Sequence, residues 1–314
     1  MSQSGIPFAK LEALGNSYIV VEPKHKAYWA ENEVKTWCSP DWGLGSDGIL
    51  WGPFYDSEID PPRLIIFNSD GSQAEKSGNG LRIFSRYLWD KELVKENPFT
   101  IYSPAGPVES KVFKDMSIEI QMGEAKLLGP VEEEMSVAVL TPEGEKEISF
   151  DMTRVSVGNP HCCVFGGFDY VDHIKQWGEA IESHYLFPRK TNVQFVKVEA
   201  RDTIFFEVWE RGSGYTQASG SSACAVAFSA FKRGLVDRQL KMKMPGGTLF
   251  ISIEENDSVI MRGDTAWICE GVWKKPEFPK DPQSSVDGGD DDSGETSKRT
   301  VVNADQGADQ EDER

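Results

Sequence analysis

The chain has no long run of apolar residues. Among its 314 residues the longest apolar stretches are residues 64–67 and 223–228, whereas a membrane-spanning helix needs roughly 20. The sequence therefore predicts no membrane span. The N-terminus also lacks the basic segment followed by an apolar segment that is typical of a secretory signal, so we expect a cytoplasmic protein.

Cysteine is scarce. There are five cysteines, and none forms a CxxC pair, which argues against both a disulfide framework and a zinc site. We therefore predict no bound metal. Hydrophobic residues make up 39% of the chain, enough for a core, and the length suggests roughly two domains.

Positive charge is in short supply. The chain has 33 Lys and Arg against 51 Asp and Glu, a formal net charge of −18, which makes nucleic acid an unlikely partner. Residues 280–314 hold eleven acids and four bases, a net charge of −7, and have no strand or helix period. We expect residues 277–314 to form a disordered acidic tail. A solvated tail without a specific partner is favoured over a regulatory acidic arm.

Two segments of the chain repeat the same order of features. Asn16 and Asn159 each follow a glycine, and Ser77 and Ser219 each begin a loop of small residues. Asn16 and Ser77 are 61 residues apart, and Asn159 and Ser219 are 60 apart, by subtraction of their positions. This agreement predicts two copies of one α+β unit.

The local patterns support the repeat. Asn68 ends an apolar run nine residues before Ser77, and Glu210 ends another nine residues before Ser219. Helical spacing of apolar residues follows the first loop. Strands are predicted over residues 117–121, 191–198, 203–209, 248–254 and 259–261.

We therefore expect an α+β fold of two pseudo-symmetric halves, each a mixed β-sheet or barrel wrapped around a central helix. The halves would be residues 1–124 and 125–264, and residues 265–276 would return as a strand to the first half. Duplicated units that face each other would place both small-residue loops in one cleft.

The two small-residue loops could bind an anion, because each precedes a predicted helix. A helix N-terminus presents unpaired N–H groups and partial positive charge, so two of them in one cleft suit a carboxylate. Arg211 could pair with a distal carboxylate, and Glu210 could bind an ammonium group. A purely structural role is the alternative for each loop taken singly, because serine is a common N-cap and Gly-Asn pairs form turns.

The motifs together resemble the diaminopimelate epimerase family. They are, in order over roughly residues 8–273, LEALGNSYIVVE, LGSDGIL, FNSDGSQAEKSGNGLR, VSVGNPHC, FPRKTNVQFV, ERGSGYTQASGSSACA and MPGGTL. The resemblance implies an isomerase of lysine biosynthesis that converts LL- to meso-diaminopimelate. It also implies two similar halves, no pyridoxal or other cofactor, an amino-acid substrate and usually a homodimer in bacteria.

The resemblance also assigns roles to residues. In this family one residue removes the α-proton from one face and a second residue reprotonates from the other. These two residues are cysteines, at the positions of Ser77 and Ser219 here. The other implied site residues are Asn16, Asn68, Asn159 and Asn192 for substrate binding, Glu210 and Arg211 for its ends or for tuning the acid/base pair, Gly78, Asn79, Gly220 and Ser221 for the α-carboxylate, and His161 near the first acid/base position.

The two serines change the chemistry. A thiol has a pKa of about 8.5 and an alkyl hydroxyl about 15.7, so forming the anion costs roughly 10 kcal/mol more. A helix dipole contributes only about 1 kcal/mol. Serine would need a neighbouring base, for which His161, Glu210 and Lys76 are the candidates, although an exposed Lys76 without that role is favoured.

Three functions stay open at this point. The first is an epimerase or racemase in which neighbours make the serines workable, or in which the serines arrest an otherwise ordinary enzyme. The second is a lyase or other isomerase on a related amino acid. The third is a non-catalytic amino-acid-binding protein.

Overall fold

A computed structural model of the chain describes residues 5–55, 57, 60–141, 144–166 and 170–274. These residues belong to a unit that spans Met1–Lys274. The acidic tail expected over residues 277–314 lies outside the described residues. In the described part of the chain, no helix combines the length and apolar character needed to cross a membrane.

The described elements are nineteen strands and four helices, which confirms the predicted α+β class. The helices are α1 (Glu31–Cys38), α2 (Gly78–Asp90), α3 (Tyr170–Glu182) and α4 (Gly220–Lys232). The strands are β1 (Ile6–Ala13), β2 (Asn16–Val21), β3 (Gly48–Phe54), β4 (Arg63–Asn68), β5 (Gln73–Ala74), β6 (Phe99–Ser103), β7 (Gly106–Val112), β8 (Ile118–Glu124), β9 (Lys126–Leu127), β10 (Glu133–Thr141), β11 (Gly144–Ser156), β12 (Pro160–Phe165), β13 (Asn192–Ala200), β14 (Thr203–Glu210), β15 (Gly214–Thr216), β16 (Gln239–Met244), β17 (Gly247–Ile253), β18 (Ser258–Gly263) and β19 (Ala266–Trp273).

The strand pairing repeats along the chain. In the first copy β2 pairs antiparallel with β1 and parallel with β3, β3 pairs antiparallel with β4, and β4 pairs parallel with β6. In the second copy β12 pairs antiparallel with β11 and parallel with β13, β13 pairs antiparallel with β14, and β14 pairs parallel with β16. The same hydrogen-bonding pattern therefore occurs twice, in the same order.

Two further pairings connect the copies. β8 pairs antiparallel with β18, and β19 pairs antiparallel with β1. The second pairing brings the end of the described chain back to its beginning. The proposed boundaries at residues 124 and 264 stay a proposal that rests on the repeat.

Helix α2 begins at a capped serine. The backbone of Ser77 is extended, and its Oγ accepts a hydrogen bond from the Gly80 amide at 3.0 Å, which satisfies one of the free amides of the first turn. Leu81, Phe84 and Leu88 are fully buried, as their spacing predicted, and the helix packs on β1, β2, β7 and β8. Burying each such side chain stabilises the fold by roughly 1.5–3 kcal/mol.

Helix α4 has the same start but smaller side chains. Ser219 caps it and accepts from the Ser222 amide at 3.4 Å. Ala223, Ala225 and Ala227 are fully buried, and the helix packs on β11, β12, β13, β16, β17 and β18. Their small size lets the surrounding strands lie close to the helix axis.

Helices α1 and α3 are additional to the two helices that follow the small-residue loops. Helix α3 carries Ile174, Trp177 and Ile181 at helical spacing, and all three are buried. The predicted strands are present with end shifts of a few residues. For example, residues 248–254 were predicted and the strand is Gly247–Ile253.

Candidate active site

The first turns of α2 and α4 are in contact. A Cβ on Gly78 would lie 3.3 Å from the Cα of Gly220, and a Cβ on Gly220 would lie 3.2 Å from the Cα of Gly78. Met261 packs beside both glycines, with side-chain atoms 2.9 Å from each of these positions. The expected meeting of the two small-residue loops is therefore present, and glycine permits it because no side chain fits between the backbones.

Ser77 has a phenol as its hydroxyl partner. Its Oγ lies 3.1 Å from the hydroxyl of Tyr18, which is buried on β2. Burial raises the pKa of Tyr18 to about 12, and the charges of Glu210 and Asp47 act in the same direction, whereas the hydrogen bond with Ser77 lowers it. Tyr18 is therefore a neutral phenol at pH 7.

Ser219 has different surroundings. Its Oγ accepts from the Ser222 amide at 3.4 Å, and its own amide faces the sulfur of Met244 at 3.4 Å. In the described part of the chain, no phenol or other hydroxyl hydrogen-bonds to Ser219. The two serines are thus equivalent in their helices but not in their chemical neighbours.

His161 is the centre of a buried polar network. Its Nε2 lies 2.9 Å from Asn159 Oδ1, and its Nδ1 lies 3.1 Å from Gln194 Nε2, which also donates to Ser222 Oγ at 3.0 Å. An amide nitrogen can only donate, so Nδ1 accepts and the proton is on Nε2. Burial, together with the charge of Arg211, lowers the pKa of His161 to about 3, so the ring is neutral at pH 7.

Glu210 lies at the end of β14, where its Oε1 accepts from the Thr216 hydroxyl at 2.7 Å. Burial raises its pKa, the Thr216 hydrogen bond lowers it, and the charge of Asp47 raises it further, for a net increase. Because Glu210 also acts on the pKa of Tyr18, the carboxylate lies in the electrostatic environment of the Tyr18–Ser77 pair.

Strand register places Asn68 and Asn192 at different points of the repeat, with Asn68 two strands from Tyr18 and Asn192 on the strand next to His161. Tyr18 pairs with Gly48, which pairs with Asn68 on the next strand. In the second copy His161 pairs with Asn192. Asn68 Nδ2 donates to the Ser72 hydroxyl at 2.9 Å.

The remaining predicted binding residues lie at element ends. Asn16 faces Ala13 at the turn between β1 and β2. Asn79 is buried in the first turn of α2, and Ser221 is half-buried in the first turn of α4. The side chain of Asn79 accepts a hydrogen bond from Arg82.

A carboxylate holds the turn that carries Arg211. Glu182 is buried at the end of α3 and accepts from Trp209 Nε1 at 2.8 Å, from the Gly212 amide at 3.0 Å and from Lys190 at 3.2 Å. Asn192 Oδ1 accepts from the Arg211 amide at 3.1 Å. Arg211 is exposed.

Arg82 places a buried cation behind the first turn of α2. It is fully buried, its Nη2 donates to Asn79 Oδ1 at 2.8 Å and its Nη1 faces Met261 Sδ at 3.2 Å. Burial lowers its pKa to about 10, which leaves it charged at pH 7. This charge adds to the positive potential of the two helix starts.

His161 is expected near the first acid/base position, and this stays a prediction; its hydrogen bonds lead through Gln194 and Ser222 to the Ser219 loop. One other expectation from the sequence was wrong. Lys76 was expected to be exposed, but it is half-buried and donates to the Met122 carbonyl at 2.6 Å. Burial lowers the pKa of Lys76.

Sequence reasoning also missed residues of the site. Tyr18, Gln194, Ser222, Thr216 and Arg82 were not among the predicted site residues. The repeat itself holds a signal for one of them, because Tyr18 follows Asn16 by two residues, as His161 follows Asn159.

Other surface features lie away from the serines. One cavity of about 450 Å³ is lined by residues that include Tyr87, Lys91 and Glu270, and another of about 430 Å³ is lined by residues that include Arg262 and Phe250. Neither includes a residue of the two helix starts. Across the described ranges, no three His, Cys, Asp or Glu side chains are grouped as a metal site requires, and the predicted absence of a metal stays a prediction.

The amino-acid sequence is similar to those of known proteins of one family. Residues 8–128 and 153–268 match the family model described as diaminopimelate epimerase. The chain is 41% identical over 274 residues to diaminopimelate epimerase 2 of Nostoc sp., covering 84% of this chain and 94% of that protein. It is 34% identical over 282 residues to diaminopimelate epimerase of Desulfitobacterium hafniense, covering 84% and 96%.

Solved structures share the fold at low sequence identity. A hydroxyproline epimerase from Agrobacterium vitis superposes with a TM-score of 0.63 at 12% identity, covering 86% of this chain and 92% of that chain. A PhzF-family phenazine biosynthesis protein from Bacillus anthracis gives a TM-score of 0.61 at 14% identity, covering 86% and 99%.

Proposed function

The chain belongs to the diaminopimelate epimerase family, and from this premise we propose that it inverts the α-carbon of diaminopimelate, between the LL and meso forms, through Ser77 and Ser219. At the coarser level it is an isomerase of the amino-acid epimerase type. The substrate and the roles of the individual residues are the proposal.

The observation that carries the proposal is the contact between the two capped helix starts. Gly78 and Gly220 bring two sets of free backbone amides to one point, where they suit an α-carboxylate. Ser77 and Ser219 begin these two helices, so a carboxylate held there has its α-carbon between the two hydroxyls. The buried charge of Arg82 favours an anion at the same place.

The other groups have roles that fit a diamino dicarboxylate. Glu210 binds an ammonium group, and Arg211 pairs with the distal carboxylate. Asn16, Asn68, Asn159 and Asn192 supply hydrogen bonds to the substrate, and neutral His161 orders Asn159 and the Ser219 loop. The α-carbon loses its proton on the face of one serine and receives a proton on the face of the other. No pyridoxal takes part.

Serine makes this chemistry slow. Forming a serine anion costs roughly 10 kcal/mol more than forming a thiolate, so we expect turnover well below that of an enzyme with two cysteines. Groups behind the serines must carry part of the proton transfer.

The direct test is α-deuterium incorporation from D₂O into LL- and meso-diaminopimelate, followed by mass spectrometry and chiral chromatography. We expect slow incorporation together with the inverted isomer, and loss of both in the Ser77→Ala, Ser219→Ala double variant. Ser183→Ala changes an exposed serine that belongs to neither helix start and serves as the control. Incorporation no faster than without protein would contradict the proposal.

One observation favours a second candidate. Ser77 has a phenol partner and Ser219, within the described residues, does not, and such asymmetry suits a lyase or an isomerase that moves a proton in one direction. Incubation with hydroxy amino acids would then give a product with new C=C or ketone absorbance. A non-catalytic binding protein is the third candidate, for which calorimetry would show amino-acid binding without turnover.

We also propose a cytoplasmic homodimer, on the strength of the family resemblance. Sedimentation equilibrium of the full chain tests the assembly, and a monomer at micromolar concentration would contradict it.

A further inference from the structure

Tyr18 and His161 occupy equivalent positions in the two copies of the repeat. Each follows its Gly-Asn pair by two residues. Tyr18 lies on β2 and pairs in parallel with Gly48, and His161 lies on β12 and pairs in parallel with Asn192. Both side chains are buried. The fold therefore places a phenol in one half where it places an imidazole in the other.

The two side chains reach their serines differently. The Tyr18 hydroxyl contacts Ser77 Oγ directly at 3.1 Å. His161 is separated from Ser219 by Gln194 and Ser222. Of these two side chains, Tyr18 alone thus places an ionisable group in direct contact with the serine of an acid/base position.

The Tyr18–Ser77 hydrogen bond has two arrangements, because either hydroxyl can donate to the other. Tyr18 is 5% exposed, and Ser77 is the only hydrogen-bond partner of its hydroxyl in the described part of the chain. In one of the two arrangements the phenol, which is the more acidic hydroxyl, donates its proton to Ser77. Ser77 Oγ then accepts from Tyr18 and from the Gly80 amide, and its own proton is free to point toward the substrate.

We propose that Tyr18 carries the proton for Ser77, so that the pair, rather than serine alone, is the acid/base unit of that face. This inference rests on the proposed proton exchange at the α-carbon. When the carbanion is protonated, the new C–H bond takes the Ser77 Oγ proton, Ser77 takes the Tyr18 proton, and the phenolate takes a proton from water. In the opposite direction the same steps run in reverse, and no oxidant or reductant is needed.

With Tyr18 behind Ser77, the negative charge is carried by a phenolate instead of a serine alkoxide. Burial raises the pKa of Tyr18 to about 12, which is still below the ~15.7 of an alkyl hydroxyl, so the phenolate is the easier anion to form. Ser77 alone would have to carry the charge itself. With Tyr18 behind it, Ser77 only relays a proton.

Tyr18→Phe tests the inference with little change in packing, because only the hydroxyl is lost. We expect inversion of diaminopimelate to fall by roughly 100-fold, with KM unchanged within about twofold. Deuterium exchange with retained configuration should persist for the isomer whose α-hydrogen faces Ser219, because this isomer is deprotonated and reprotonated on the Ser219 face. Tyr87→Phe is the matched control, since the Tyr87 hydroxyl binds Glu22 instead of a site serine.

A double-mutant cycle separates proton transfer from packing. Ser77→Ala should reproduce the effect of Tyr18→Phe, and the two changes together should cost no more than either alone. In a Ser77→Cys background the thiol has its own acidity, so Tyr18→Phe should change inversion less than about twofold.

Three outcomes would overturn the inference. The first is unchanged inversion in Tyr18→Phe, and the second is an equal loss of exchange and inversion in that variant for the isomer whose α-hydrogen faces Ser219. The third is an effect of Tyr18→Phe that stays as large in the Ser77→Cys background as in the natural chain.

A spectroscopic measurement keeps this inference distinct from the proposed function. If neither the natural chain nor its two-cysteine form exchanges the α-proton of diaminopimelate, the proposed function is wrong. The Tyr18–Ser77 hydrogen bond is then tested by NMR, through the ¹³Cζ chemical shift of Tyr18 in labelled protein with and without Ser77. A shift of this resonance on Ser77→Ala supports the pair, and an unmoved resonance overturns it.

Discussion

Gly78 and Gly220 touch through their backbones, because a Cβ on Gly220 would lie 3.2 Å from the Cα of Gly78. A contact this close cannot be relieved by turning a side chain. It fixes the distance between the two helix starts, and with it the distance between the serines that cap them.

Gly220→Ala should therefore destabilise the fold. The added methyl would lie 2.9 Å from Met261 Sδ as well as against Gly78. We expect a loss of about 1–3 kcal/mol, although alanine is intrinsically favoured over glycine in a helix by about 1 kcal/mol. Urea unfolding measures the change, with Ser221→Ala at the next position as control. A Gly220→Ala variant as stable as the natural chain would show that the helix starts are not in tight contact.

Restoring both cysteines, by Ser77→Cys with Ser219→Cys, should raise turnover of diaminopimelate. If only about 3 kcal/mol of the roughly 10 kcal/mol difference in anion cost appears in the barrier, the rate rises roughly 100-fold. Initial rates of isomer conversion measure this, with Ser183→Cys as the control for an added thiol. A folded two-cysteine variant without activity on diaminopimelate would mean that the substrate has changed.

His161 should make stability fall in mild acid. Burial lowers its folded-state pKa to about 3, and the unfolded value is about 6.5. Below pH 6.5 the unfolded chain takes up a proton that the folded chain does not, so the contribution is complete above pH 6.5 and declines toward pH 3. The loss is about 2 kcal/mol between pH 6.5 and pH 5.

The measurement is urea unfolding at these two pH values, for the natural chain and for His161→Gln. Other groups also titrate in this range, so the difference between the two proteins is the informative quantity. The natural chain should lose about 2 kcal/mol more than the variant. Equal losses would show that His161 is not held neutral by the fold.

Glu182→Ala should loosen the turn that presents Arg211. Burial opposes ionisation of Glu182, but the hydrogen bonds from Trp209, Gly212 and Lys190 outweigh it and lower the pKa. Without this acceptor the half-buried indole N–H of Trp209 loses its partner, at a cost of roughly 1 kcal/mol. We expect KM to rise about tenfold and kcat to change less, whereas Glu179→Ala, an exposed acid of the same helix, should change neither. A fall in kcat alone would place the role of Glu182 elsewhere.

Much of the fold could be predicted from local patterns. The N-caps Ser77 and Ser219, the buried stripe of α2 and the order of the repeat are encoded over short stretches of chain. The hydrogen bond between Tyr18 and Ser77 is not, because it joins residues 59 positions apart and depends on the register of β2 beside α2.

Contacts between distant parts of the chain also explain why the burial of Lys76 and the hydrogen bonds of His161 were not predicted. Lys76 precedes a helix, where exposure is usual, but the nearby Met122 carbonyl gives its ammonium group a partner and draws it inward. The path from His161 to Ser219 needs the parallel pairing of β12 with β13. Spacing within one segment does not contain that information.

Four of the five cysteines are buried, and Cys269 on β19 is exposed. A thiol-reactive dye should therefore label the native chain at one place and label the denatured chain at five. The number of labelled thiols therefore reports the extent of unfolding, and this assay needs no substrate. It also makes β19 a natural attachment point for a fluorophore, opposite Lys10 on β1 and away from both helix starts.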